Sequence, residues 1–386
     1  MTSGRDGIRR GYSLSRDPAE AVGELHAAIS QPDIGLAVFF CSAGYDLDSL
    51  AGEIERRFAG IDIIGCTTAG EITPVGYRDG AITGFSIAAA DCRAVIARID
   101  GLSGFKIAGG QTIADALIAR LGQRGEDSHL RHGFAMLLID GMSANQETVL
   151  SAIHGRMNGL PIVGGSAGDD MRLQRTHVYH QGRFHTDAAL LTLVRIRQPV
   201  KMFHSQHFFG TDTRMVVTQA DPDRRVVGEI NAEPAAAEYA RIIGLDANQL
   251  TPAIFAEHPV MVKVGGEFFV RSIQRANEDG SLSFFCAIDE GVVLRLARHE
   301  DIVMQLRALF GAIHADIGPP ELVIGFDCVL RNLEAERRQL RHVAGRILAE
   351  NNVVGFSSYG EQFAGMHVNQ TFTGVAIGRA GGGGAA

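Results

Sequence analysis

Three short segments combine glycine with hydroxyl and carboxyl side chains: Gly65-Cys66-Thr67-Thr68-Ala69-Gly70-Glu71, Gly164-Gly165-Ser166-Ala167-Gly168-Asp169 and Gly355-Phe356-Ser357-Ser358-Tyr359-Gly360-Glu361. Each follows an apolar run, which places it at the carboxyl edge of a strand. There α/β proteins bind ligands, and small residues expose successive backbone N–H groups. Thr67, Thr68, Ser166, Ser357 and Ser358 can donate or accept hydrogen bonds at such an edge. Glu71, Asp169 and Glu361 can recognise an amine or close the loop onto its own backbone, and the residue types leave both roles open.

Two catalytic motifs resemble these loops. Gly65 to Gly70 has glycine-loop spacing but lacks the Gly-Lys-Ser/Thr that holds nucleotide phosphates. Gly164 to Gly168 fits the Gly-x-Ser-x-Gly elbow, which would make Ser166 a hydrolase nucleophile. The elbow requires a helix directly after it, whereas Asp169-Asp170-Met171 reads as a loop leading to a strand. A repeated loop is the simpler account, and a non-enzymatic protein is expected. Of 14 histidines, three stand out. His204 and His207 sit among aromatics in Phe203-His204-Ser205-Gln206-His207-Phe208-Phe209, and His367 follows the third loop; an axial haem ligand needs apolar, aromatic surroundings.

The elements that carry these loops recur. Leu36–Cys41, Ala135–Ile139 and Leu322–Phe326 each read as a strand, followed by a helical pattern and a second strand ending in the loop. From strand start to first glycine the interval is 29, 29 and 33 residues. A further strand follows each loop: Ala81–Ala88, Ala188–Ile196 and Thr371–Gly378. The expected fold is therefore α/β, with mixed sheets covered by helices, built from repeated strand-helix-strand-loop-strand units in two halves. Between copies two and three lie a helix near Pro234–Ile243 and a meander with a hairpin turn at Asn277–Gly280.

The 386 residues, 46% hydrophobic, suit two or three domains, and a net charge of -8 gives no reason to bind nucleic acid or an anionic membrane. No apolar stretch reaches membrane-helix length, and Arg5, Arg9, Arg10 and Arg16 precede no secretory apolar core, so a cytoplasmic protein is expected. Five cysteines without Cys-x-x-Cys spacing read as buried free thiols, and any haem would be held non-covalently.

Ile64 to Ile72 resembles the hallmark segment of the FIST N-terminal domain. Gly355 to Glu361, followed by His367 to Thr371 and preceded by Phe326-Asp327-Cys328 and Arg331, is similar to the end of the FIST C-terminal domain. The resemblance covers about residues 25 to 378. It implies a leader at 1–24, a FIST N-terminal domain at 25–223, a FIST C-terminal domain at 224–378 and a flexible tail at 379–386. It also implies an intracellular bacterial sensor of a small ligand, acting through a separate partner because no output domain accompanies it. The layout is similar to the NosP group of nitric-oxide-sensing haemoproteins, which implies haem b on one of His207, His204 or His367 and a partner histidine kinase. The alternative is a haem-free amino-acid or metabolite sensor, with Glu71 or Glu361 on the amine.

Overall fold

A computed structural model describes residues 7–123, 129–264 and 266–380. It is mixed α/β, with four sheets and nine α-helices among the described residues. Three six-stranded sheets share one plan. In the first, the order is Ile8–Ser13, Ile82–Ala88, Ile34–Ser42, Ile63–Thr68, Val178–His180 and Arg183–His185. The second runs Cys92–Asp100, Ala188–Ile196, His132–Ile139, Ile162–Ser166, Glu361–Phe363 and Met366–Val368. The third runs Val200–Gln206, Thr371–Ile377, Leu322–Cys328, Val353–Ser358, Glu71–Thr73 and Gly76–Arg78.

In every sheet the last two strands are a hairpin donated by another unit. The hairpin after the first loop completes the third sheet, the hairpin of the second unit completes the first, and that of the third completes the second. The exchange is cyclic, so the three units close into a pseudo-threefold ring. This hairpin fills the interval between each loop and the strand expected after it.

The repeat is longer than its strand-helix-strand core. Each unit begins with an outer strand and a further helix: Ile8–Ser13 with Pro18–Ile29, Cys92–Asp100 with Ile107–Gln123, and Val200–Gln206 with Ile302–Ile317. Residues 8–24 thus belong to the first unit, where Ile8–Ser13 pairs along Ile82–Ile87. The third unit starts at Val200, and the division expected at 223/224 falls inside an insert between its outer strand and its helix. Of the tail at 379–386, residues 381–386 lie outside the described residues.

Strand alternation explains the layering. Val38 and Phe40, Met136 and Leu138, and Ile324 and Phe326 point into one shared centre. Ala37, Phe39 and Cys41, or Ala135, Leu137 and Ile139, point outward against the helices of their own unit. At the centre Phe40 packs on Phe356 with ring centroids 4.8 Å apart. The repeated glycine ahead of each loop has a packing cause: a Cβ at Gly65, Gly164 or Gly355 would lie 2.5, 2.0 or 1.8 Å from a carbonyl oxygen of the parallel neighbour strand.

The insert forms the fourth, eight-stranded sheet with its own core around Met215, Ile230, Tyr239 and Phe255. Its helix Ala235–Ile243 and the hairpin of Ile273–Ala276 with Leu282–Phe284 match the sequence expectation. The helical pattern of the third unit forms two helices, Val329–Arg337 and Arg341–Glu350, broken where Gln339 adopts φ +59°. All five cysteines are free and buried.

Candidate functional site

The three glycine loops meet on the pseudo-threefold axis and hydrogen-bond one another. Ala69 N donates to Ser357 O (3.0 Å), Gly168 N to Thr67 O (3.0 Å) and Tyr359 N to Ser166 O (3.1 Å), an unbroken ring of equivalent bonds. The N–H groups expected to face a ligand are therefore turned on the neighbouring loop, because the exchanged hairpins bring each strand end against the next. Thr67, Thr68, Ser166, Ser357 and Ser358 are all fully buried.

The two glutamates play one role twice. Glu71 accepts from Ala81 N (2.8 Å) and bonds the Thr68 hydroxyl; Glu361 bonds the Ser358 hydroxyl (2.5 Å) and accepts from Thr371 Oγ1 (2.7 Å) and N (3.3 Å). In each case a carboxyl reaches three residues back and ten forward, clasping the base of the exchanged hairpin. Burial pushes both carboxyls up to about 8. Asp169 lies five residues after its glycine instead of six, and it caps Leu173, Gln174 and Arg175 N–H groups at 2.7–2.9 Å while bonding the Tyr359 hydroxyl. Ser166 donates to Gln146 Oε1 (2.5 Å) and accepts from Gln362 Nε2 (2.9 Å), so amides, not a histidine, hold its hydroxyl.

The histidines differ sharply. His207 is fully buried with both nitrogens engaged: Nε2 to Glu334 Oε2 (2.6 Å) and Nδ1 to Arg331 Nη1 (2.5 Å). His367 is buried beside the third loop, and the Phe285 backbone is near enough to favour its charged form without meeting hydrogen-bond geometry. His204 stacks on Phe363 at 5.3 Å and lines a cavity of about 520 Å³ with Phe208, Phe209, Phe268 and Phe269; its Nε2 has no partner. Burial pushes all three down to about 4, so each ring is neutral near pH 7. His204 therefore fits the iron and the ring of a haem best. The propionates fit less well, since the charged residue lining that cavity is Glu267. Among the described residues no group of three or more His, Cys, Asp or Glu is placed to hold a metal ion.

Just outside the loop ring, at the carboxyl edge of the first sheet, is a cleft of about 360 Å³ that sequence reasoning did not single out. All three units build it: Ser42, Ala69 and Asp79 from the first, Asp170 and Arg172 from the second, Asn332 and Arg341 from the third. Arg341 grips Asp79 with both terminal nitrogens and rests over the Tyr77 ring at 5.7 Å. Asp170, held in the left-handed region at φ +56°, accepts from Ser42 Oγ (3.1 Å), and burial raises its carboxyl. Arg16 reaches in over Gly80, where a Cβ would collide with its guanidinium, and makes no hydrogen bond to the described residues. In the sequence it stands out only as one of several N-terminal basic residues, which carries no signal for a site.

Fold and cleft together define an α/β protein of three fused units with a cleft of small-molecule size at the carboxyl ends of its strands. The chain belongs to the FIST family: the FIST N domain matches residues 35–233 and the FIST C domain residues 235–364. It is also 24% identical over 358 residues to an uncharacterized protein of Methanocaldococcus jannaschii, an alignment covering 81% of this chain and 67% of that protein. FIST domains point to small-ligand sensing in signal transduction. Among the described residues no helix is long and apolar enough to cross a membrane.

Proposed function

We propose that the protein is a non-catalytic FIST sensor that takes a small zwitterionic metabolite of the amino-acid kind into the carboxyl-edge cleft and signals its occupancy to a separate partner. One observation carries this reading: Arg16 and Asp170 both come within 3.9 Å of the point where a Cβ on Gly44 would sit. A guanidinium with no hydrogen bond to the described residues and a carboxylate that face the same point in the cleft suit a ligand carrying both a carboxylate and an ammonium. Glu71 and Glu361, expected on the amine, are each walled in at the base of their own hairpin; Asp170 takes that role. The amide-bound Ser166 hydroxyl supports a binding role over hydrolysis.

A thermal-shift panel of the twenty amino acids tests this. A bound amino acid raises Tm, and Arg16→Ala weakens its binding by about 1.5–3 kcal/mol, roughly 10- to 150-fold in Kd. A panel that leaves Tm unmoved, or an Arg16→Ala protein that binds as well as wild type, sinks the reading.

The aromatic cavity at His204 favours a second reading, a haem-based nitric oxide sensor that regulates a histidine kinase in the bacterial cytoplasm. Haem b would supply the iron that binds nitric oxide, and His204 would hold it through a neutral imidazole. Reconstitution with haemin should then give a Soret band that is lost in His204→Ala and kept in His207→Ala and His367→Ala. Protein that stays colourless rejects haem.

A further inference from the structure

The clasping glutamates align the exchanged hairpins residue by residue, and by that alignment His367 corresponds to Tyr77, Asn369 to Asp79 and Gln370 to Gly80. The third hairpin therefore carries the same wall that the open cleft has on the first. The support beneath is equivalent too: Gln146 bonds Ser166 as Asn332 bonds Ser357. At the first position both polar side chains of the wall are answered, Tyr77 by Asp327 and Asp79 by Arg341. At the third position they are not. Both ring nitrogens of His367, both amide atoms of Asn369 and the Oε1 atoms of Gln370 and Gln362 lack a hydrogen-bond partner, and all four side chains are at most 4% exposed.

The insert closes this place off. Ala256 O accepts from Gln370 Nε2 (3.4 Å), Arg271 Nη1 donates to His367 O (3.4 Å), and Phe285 lies over Tyr359 with ring centroids 6.2 Å apart. Each unpaired buried polar group costs about 1–3 kcal/mol, and four such side chains in one place exceed what a folded interior leaves without an occupant. The charges that act on His367 are Glu147, Arg225 and Arg271, an excess of one cation. Donors, acceptors and net positive charge together suit a compact carboxylate that also carries N–H groups.

We infer that the third-unit counterpart of the open cleft is a second, occluded binding site for a free amino acid, lined by His367, Asn369, Gln370 and Gln362 and covered by the insert. Enclosure makes exchange slow, so the occupant travels with the protein through purification. The full chain is dialysed exhaustively, precipitated with acid, and the free amino acids released are quantified. About one equivalent of a single amino acid is expected from wild type and from Arg16→Ala. Asn369→Leu, which removes both amide atoms, and Asn369→Asp, which keeps the shape but sets a carboxylate against the ligand's own, should each release at least tenfold less. Wild type that releases none has only water at the locus, and the proposal fails. It fails equally if both Asn369 variants, folded by their thermal unfolding, release as much as wild type, or if Arg16→Ala is the variant that loses the amino acid, which assigns it to the open cleft.

Discussion

Arg331→Met should cost about 3–5 kcal/mol of folding stability, the amount typical of removing one partner from a buried ion pair. The guanidinium is 1% exposed and stands at the centre of a continuous chain of polar contacts. Tyr77 donates to Asp327; Arg331 Nε donates to Asp327 Oδ1 (2.7 Å) and Nη1 to His207 Nδ1; His207 Nε2 donates to Glu334. An arginine can only donate, so His207 must accept at Nδ1 and carry its proton on Nε2, which makes it the neutral Nε2–H tautomer. Burial and the Arg331 charge push its pKa the same way. Methionine would leave the Asp327 carboxylate with one donor and His207 with an orphan acceptor, both in the dry interior. Urea unfolding should show a lower midpoint at unchanged slope. Arg331→Met combined with Asp327→Leu should recover part of the loss, since the uncompensated charge is gone; a single variant within 1 kcal/mol of wild type would mean that the network does not hold the fold. The chain also joins the hairpin carrying Asp79 in the open cleft to the start of the insert at Phe208, which lines the aromatic cavity at His204.

The second large effect is on the pH dependence of stability. Burial raises the Glu71 and Glu361 carboxyls to about 8 from 4.5 and outweighs the hydroxyl and backbone donors that act against it. A group whose folded pKa is raised binds more protons in the native state. Its contribution is complete below the unfolded pKa and is lost as pH rises through about 8. His204, His207 and His367 act oppositely: their folded pKa falls to about 4 from 6.5, so their contribution is complete above 6.5 and is lost as pH falls toward 4. Between 6.5 and 8 the glutamates dominate, each by up to about 1.4 kcal/mol per pH unit, while the last deprotonation of unfolded histidines returns a smaller part, so wild type should lose on the order of 1–3 kcal/mol across that window. In Glu71→Gln the amide donates to Thr68 and accepts from Ala81 N without a charge to expel. The doubly substituted Glu71→Gln, Glu361→Gln protein should therefore show a Tm that is flat or rises slightly from pH 6.5 to 8, and a decline as steep as wild type's would place the protonation elsewhere.

Much of the local grammar was legible. Apolar runs ending in Gly65, Gly164 and Gly355 marked the loop strands because a side chain there would strike the neighbouring backbone, and that constraint acts within a few residues of the motif. The outer strand and first helix of each unit were not read, because Ile8–Ser13 is only partly buried and alternates weakly, and because the insert separates Val200–Gln206 from its helix by almost a hundred residues. The site was harder. The loop residues were found in the right place but were assigned outward-facing donors, whereas the ring of inter-loop bonds consumes them. The cleft residues Arg16, Asp170 and Arg341 come from three units and carry no local signature.

By itself the sequence determined the α/β class, the threefold recurrence of strand, helix and glycine loop, the free cysteines and the family. All of these rest on short-range patterning of apolar side chains, glycines and hydroxyls. Tertiary structure alone decided which unit receives each hairpin, that Glu71 and Glu361 clasp those hairpins from inside, and that one of two equivalent walls is open while the other is sealed under the insert. Strand pairing is made by backbone groups common to every residue, so no side-chain pattern names the partner strand. Once the exchange is set, it dictates which polar groups are buried, which are paired, and where a ligand can enter.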